Sequence, residues 1–402
     1  MPKRLHISQR YRGVEGGLFS KVSKADVGDG YAAMGEQDIT LMGWADPFYP
    51  DPSIPGFLKQ TLIDHVQSGY TSHYTLPIGD PQLRKLISEK VKHKNGIDAD
   101  PARNIIVTPG SDSGLFFALS AVIDPGDEVL VPDPSYPNNS LDVQILGGVP
   151  VPVPLHFETN YALDIAALQG AVTSRTKAMV LTHPNNPTTT VFRRREIELL
   201  AQFIQSNNLM LVVDQAFEDS VFDGIDFVSP ASLPGMWERT ISVFSISKGM
   251  GLSGFRVGYI VANDTIMDIF YGAAVNVLGA TNTLSQKLAI AAFQSPSFMD
   301  AYIAEFDKRR KTAHHILSNV PGVRMHLPES GFFSWIDVSQ LGDSTDIMEH
   351  ILHHAHVAVN DGKTYGKQGS GCLRIIHGCL GSQERSEQAL LRIADALSTF
   401  QP

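Results

Sequence analysis

Ser245-Ile-Ser-Lys-Gly-Met-Gly-Leu-Ser-Gly-Phe-Arg-Val-Gly258 is the stretch on which the reading of this chain turns. The residues before it, Thr240–Phe244 (TISVF), are apolar and β-branched and predict a strand, so Lys248 stands just beyond a strand end. A lysine there, followed by small residues and then by Arg256, suits a carbonyl cofactor that bears a phosphate. The amine forms a Schiff base once it is deprotonated, and burial in a cleft lowers its pKa. The arginine offers a charged fork to the phosphate, and Ser245 with the glycine-rich backbone comes close enough to add donors. Gly249-x-Gly251-x-x-Gly254 also matches a dinucleotide fingerprint, with Asp264 and Asp268 downstream. Such a fingerprint opens the first βαβ unit and needs no lysine ahead of it. Here it follows four other predicted strands, and that position argues against it.

Working outward, similar apolar runs occur at Asn104–Thr108, Glu128–Val131, Lys177–Leu181 and Met210–Asp214, with helical patterns such as Ser113–Ala121 and Arg194–Ser206 between them. Apolar strands without alternation, separated by helices, predict an α/β fold with a mostly parallel sheet covered on both faces. Ligands of such sheets bind beyond the carboxyl ends of the strands. The polar clusters stand at those ends: Pro109-Gly-Ser-Asp-Ser113, Pro132-Asp-Pro-Ser-Tyr136, His183-Pro-Asn-Asn-Pro187, Asp214-Gln-Ala-Phe217 and Ser245-Ile-Ser-Lys248. From about Ser318 the chain reads as a second, smaller α/β unit. The expected division is a large cofactor-binding domain over 50–315 and a small domain made of 1–49 together with 316–402.

The lysine segment resembles the cofactor signature of the class I/II aminotransferases, the pyridoxal 5'-phosphate (PLP) enzymes of fold type I, and further motifs of that family follow in order over nearly the whole chain. The departures at Met250 and Gly251, where the family usually has an aromatic and Ser or Ala, are mild. The resemblance implies that Lys248 is the Schiff-base and proton-transfer residue, with Ser245 and Arg256 on the phosphate. Gly110–Ser113 opens a helix, and taken alone Ser111 or Asp112 there reads as an ordinary N-cap. The family's phosphate loop makes both of them phosphate contacts. Tyr136 matches the aromatic that stacks on the cofactor ring. Asp214 ends an apolar strand, where a carboxylate is costly unless paired, and its family role is to keep the pyridine nitrogen protonated. Asn186 matches the amide that bonds the ring oxygen and the substrate carboxylate. Where the family usually has a tyrosine that bonds the same oxygen, this chain has Phe217. Arg374, on an apolar stretch, matches the arginine for the substrate's α-carboxylate, and Gly43 the segment that closes over it. Trp44, Phe332 and Phe333 are candidates for the side-chain pocket. Tyr74 resembles a residue that reaches the neighbouring subunit's phosphate, which implies a homodimer with shared active sites.

The bulk numbers fit that reading. A chain of 402 residues exceeds one ordinary core. Its 32 Lys and Arg against 42 Asp and Glu give a net charge of -10, which speaks against nucleic acid as a partner. Two cysteines, Cys372 and Cys379, speak for a reducing compartment, and the start MPKRLHISQRYRGVEGG lacks the apolar stretch of a secretory signal. No window is apolar enough to span a membrane; a cytoplasmic protein is expected. His350, His353, His354 and His356 alternate with apolar residues at helical spacing, and a solvated helix face outweighs a metal site there. The expected activity is transfer of an amino group between an α-amino acid and a 2-oxo acid by a ping-pong route. The alternatives are C–S β-elimination on the same scaffold and a non-catalytic PLP-binding sensor.

Overall fold

The computed structural model describes Ser8, Arg10 and residues 38–401; apart from those two residues, the N-terminal stretch discussed above lies outside the described part. The main sheet has seven strands: β2 (Ile105–Thr108), β3 (Glu128–Asp133), β4 (Val149–Pro154), β5 (Thr176–Thr182), β6 (Met210–Asp214), β7 (Thr240–Ser245) and β8 (Gly258–Val261). Their order is β2-β8-β7-β6-β5-β3-β4. Every neighbouring pair from β7 through β4 is parallel, and β8 is antiparallel to both β7 and β2. Strand residues alternate between two cores. Met179, Leu181, Leu211 and Val213 face Ile197, Leu200 and Ile204 of one helix layer. Val180, Val212, Ile241 and Val243 face Leu115, Phe117 and Phe270 of the other. That is why the runs read as continuously apolar.

Two strands depart from the expectation. β4 is Val-Pro-Val-Pro-Val-Pro, and it forms because it lies at the sheet edge beside β3. The three prolines fall at alternate positions, so their missing N–H groups all face the open side while Val149 N–H donates to Asp127 O at 2.8 Å. β8 follows β7 with no helix between them, only short turns, so it returns antiparallel; a parallel neighbour needs a longer crossover.

The helices around the sheet are α1 (Gly56–Ser68), α2 (Pro81–Asn95), α3 (Ser111–Ser120), α4 (Pro137–Leu146), α5 (Ile165–Ala171), α6 (Arg194–Ser206), α7 (Asp264–Val277), α8 (Thr283–Gln294) and α9 (Phe298–Leu317). A smaller antiparallel sheet, in the order β12-β13-β10-β9, contains β9 (Arg324–Met325), β10 (Ser334–Asp337), β12 (Asn360–Asp361) and β13 (Cys372–Ile375). It packs with α10 (Ser344–Ala355) and α11 (Gln383–Thr399). β1 (Thr40–Leu41) pairs with β11 (Val357–Ala358), and Met42, Ala45 and Phe48 enter the same core as Phe306, Ile351 and Leu397. The stretch 40–48 therefore runs from the smaller sheet toward the carboxyl ends of the larger one. On α10, Ile347, Met348 and Ile351 turn to the core, and the histidines at 353 and 354 stay exposed. No helix among the described residues is long and apolar enough to cross a membrane.

The start of α3 rests directly on the sheet. A side chain at Gly258 would place its Cβ 2.6 Å from the backbone at Gly110 and Ser111. Gly258→Ala is expected to lower stability by roughly 1–3 kcal/mol, as overpacking does. Urea unfolding measures it, and an unchanged midpoint would mean that α3 does not depend on this contact.

Candidate active site

A cavity of about 340 Å³ opens where the carboxyl ends of β2, β3, β5, β6 and β7 meet the 44–46 segment. One end is built for an anion. No side chain caps α3, so its first N–H groups face outward with the positive end of the helix dipole. Gly110 precedes it at φ 87°, and a Cβ there would run into the Arg256 guanidinium. Arg256 is itself left-handed at φ 50°, a conformation that costs a non-glycine residue energy and gathers at functional sites. Its Nη1 donates to Ser253 O at 3.0 Å and its Nη2 to Asp112 Oδ2 at 3.1 Å. Tyr136 OH donates to the other Asp112 oxygen at 3.0 Å. Ser111, Asp112, Tyr136 and Arg256 thus meet at one place, as expected from their order in the sequence.

Ser245 does not join them. β7 runs one residue further than its apolar pattern indicated and includes Ser245, whose hydroxyl accepts the Ser247 N–H at 3.0 Å. Ser245 lines a second cavity behind the loop, and Ser247 stands on the wall of the first with Ser111 and Ser253.

At the middle of the cavity Asp214 is buried, with Oδ1 accepting the Ala216 N–H at 3.0 Å. Burial pushes its pKa up to about 7, and the charge of Asp112 adds to the rise; the Ala216 N–H and the charge of Lys248 pull the other way. Lys248 Nζ donates to Ala45 O at 2.5 Å and lies 6.0 Å from the centre of the Phe217 ring. Phe217 lines the cavity and meets Phe333 edge-on at 5.0 Å. Phe332 and Phe333 are fully buried behind it and do not line the cavity, whereas Trp44 does.

Behind the cavity wall, outside its lining, stands Arg374, on β13 and fully buried. Its Nη1 donates to Asn186 Oδ1 at 3.0 Å, and its Nη2 to Gly43 O at 3.2 Å and Asn360 Oδ1 at 2.9 Å. Asn186 lines the cavity, so it joins the arginine to the ring end. Tyr74 is elsewhere: it is 93% exposed and outside this cavity.

Sequence reading missed Asn360, Asp46 and Ser253. Asn360 reaches Arg374 through the antiparallel pairing of β12 with β13, a register that no local pattern announces. Asp46 accepts the Ser253 hydroxyl, which ties the 44–46 segment to the turn before Arg256 across most of the chain.

The family model for aminotransferase class I and II matches residues 40–393. An aspartate aminotransferase of Pyrococcus abyssi is 32% identical over 91% of this chain and 93% of its own length. An aromatic-amino-acid aminotransferase of Thermococcus litoralis is 30% identical over 91% and 93%. Among solved structures, the aspartate aminotransferase from Thermus thermophilus superposes with a TM-score of 0.87 at 26% identity, covering 98% of this chain and all (100%) of that one.

A buried carboxyl with a raised pKa has a definite pH signature. Between the ordinary aspartate pKa and about 7, the folded protein holds a proton that the unfolded chain releases, so Asp214 costs stability as pH rises and the full cost is reached above pH 7. In the cofactor-free protein, Asp214→Asn is therefore expected to stabilise by nothing near pH 4. The gain grows through pH 7 and then stays level, on the order of a few kcal/mol. Thermal unfolding of both proteins across that range measures it; a gain independent of pH would show that Asp214 titrates normally.

Proposed function

This chain belongs to the class I and II aminotransferases and is a PLP-dependent enzyme of that family, and from that premise we propose how its own residues divide the work. The cavity has the donor set that PLP needs. It has an uncapped helix start beside an arginine, a buried carboxyl with a raised pKa, an aromatic residue held by a hydrogen bond, an amide, and a lysine. Bound PLP supplies an aldehyde for an amine and a protonated ring that draws electrons from the substrate's α-carbon.

Arg256, Ser111, Ser247 and the first N–H groups of α3 hold the phosphate, with Ser247 in the place first expected of Ser245. Asp112 fixes the two residues it contacts, Arg256 and Tyr136, and Tyr136 covers one face of the ring. Asp214 bonds the ring nitrogen, whose proton provides the positive charge that burial makes this carboxylate need. Lys248 carries the cofactor between turnovers. With the cofactor bound, the Lys248 Nζ would be the group that takes the proton from the substrate's α-carbon. Arg374, steadied by Asn186, Gly43 and Asn360, binds the α-carboxylate in fork geometry and so orients the bond that breaks. The 2-oxo acid product leaves before a second 2-oxo acid enters, which makes the route ping-pong.

The side chain accepted is proposed to be aromatic or large and apolar. Among the described residues that line the cavity, the basic groups are Lys248 and Arg256, and both are engaged by the cofactor. Trp44 and Phe217 supply apolar walls, and Asp46 is acidic. The working enzyme is proposed to be a cytoplasmic homodimer in which Tyr74, so exposed on its own chain, reaches the partner's phosphate.

The observation that carries this reading is the convergence of Lys248, Asp214, Arg256 and Asn186 on one cavity, with Arg374 bonded to Asn186 behind its wall. Purified protein with PLP is expected to show a visible band that shifts on adding phenylalanine or leucine and much less on adding aspartate. Lys248→Ala should lose turnover by roughly 10⁴-fold, the upper range for a positioned acid–base group. A band untouched by this substitution would remove the lysine from its role, and a preference for aspartate would overturn the side-chain proposal. Arg374→Ala should raise KM for amino and oxo acids alike by roughly 100-fold, the scale of a lost buried charge partner. Tyr74→Ala should weaken PLP binding although Tyr74 lies outside its own chain's cavity; unchanged binding argues against shared sites.

A further inference from the structure

The turn that follows β6 has two faces. Asp214, Ala216 and Phe217 look into the cavity, while Glu218 and Asp219 look the opposite way, toward α2. On α2, Lys90 and Lys94 are one helical turn apart and share a face. Lys90 Nζ donates to the Glu218 carboxylate, and Lys94 Nζ to that of Asp219. Asn95, at the end of the same helix, donates to Glu218 and, at 3.0 Å, to Ser229 Oγ. Ser229 in turn donates to Gln215 Oε1 at 3.0 Å, and Gln215 Nε2 donates back to Glu218 at 3.4 Å. The residue next to Asp214 is thus held at both ends of its side-chain amide.

The Lys90–Glu218 part of this network is largely buried, while Lys94 is exposed. The Glu218 side chain is 3% exposed and that of Lys90 17%, and the ammonium lies 4.8 Å from the centre of the Phe244 ring on β7. Burial pulls the Lys90 pKa down to about 7, so the charge is costly there and depends on its acidic partners. Asp219 also closes on the lysine loop, because a Cβ on Gly249, the neighbour of Lys248, would run into the Asp219 side chain. The two carboxylates therefore stand between α2 and the two strand ends that bear Asp214 and Lys248.

We propose that Lys90, paired with Glu218, is a positioning residue for the reaction: the pair fixes the turn 215–219, and through it the placing of Asp214 and Phe217 relative to Lys248. The proposal rests on the assignment of Asp214 and Lys248 made above. A buried pair costs more to break than it contributes over an apolar substitute, so a purely structural role would affect folding alone. A positioning role also affects how the ring end of the cofactor holds its protons.

The test uses the PLP-loaded enzyme with Lys90→Met, Lys90→Arg and the double variant Lys90→Met/Glu218→Gln, which leaves no unpaired buried charge if the single change fails to fold. Three quantities are read: the pH midpoint of the visible band, the PLP dissociation constant, and kcat separately from KM. The expected result for Lys90→Met and for the double variant is a midpoint moved by about half a pH unit or more. A kcat lowered roughly ten- to a hundredfold should accompany it, the scale of a small misplacement at a reacting centre. KM should change little, and Lys90→Arg should recover most of kcat. A folded variant with the original midpoint and kcat overturns the proposal, even if its melting temperature falls. Failure of the underlying assignment is distinct, because the band of the unsubstituted enzyme would then be indifferent to Lys248→Ala.

Discussion

A carboxyl group buried at the end of an apolar strand sets the terms for the rest of this molecule. Asp214 occupies a position where water cannot solvate its charge, and its elevated pKa records that. The strand before it is continuously apolar because helices cover both sheet faces, so the same sequence pattern that builds the core carries the carboxylate into the interior. On the proposed reading, a protonated ring nitrogen relieves that burden. On the same reading, Lys248 and Arg256 would serve the cofactor's aldehyde and phosphate, and Arg374 the substrate's carboxylate. Within the protein, Arg256 is paired with Asp112, and the charge of Lys248 acts on Asp214.

Those charges were the readable part of the sequence. Lys248 ahead of a glycine-rich turn, Asp214 at a strand end and Arg374 on an apolar strand are local patterns with a chemical reason for each residue type, and the polar clusters identified the carboxyl edge of the sheet. What depended on strand register was not readable. β8 returns antiparallel because no crossover helix intervenes, and β4 exists only because the edge of the sheet tolerates its prolines. One extra residue in β7 exchanges Ser245 for Ser247 on the cavity wall. Contacts between distant segments, such as Asp46 with Ser253 or Lys90 with Glu218, have no local trace at all. In physical terms, the sequence encodes the cost of a buried charge where it stands, and tertiary packing alone decides what answers it.

Phe217 shows how a substitution is absorbed. A tyrosine there would bring a hydroxyl toward the cofactor; the phenylalanine instead joins Phe333 and, through it, the apolar core of the smaller sheet. The cavity wall becomes continuous with that core, and Asn186 is the remaining amide on the same side, already tied to Arg374. On the proposed reading, recognition of the substrate carboxylate and the electronic state of the ring meet at that one side chain.

The placing of β8 has a consequence for how the chain is made. In the main sheet β2 pairs with β8 and with no other strand. On a ribosome, Ile105–Thr108 emerges early, and although Ile78 O accepts the Val107 N–H on one side, its strand partner arrives only when synthesis has passed Val261. The helix start at Ser111 and the guanidinium of Arg256, which flank one anion site in the finished protein, are likewise apart until then. A nascent chain thus cannot bring Ser111 and Arg256 together before nearly two-thirds of it exists, and through that interval β2 waits without its strand partner.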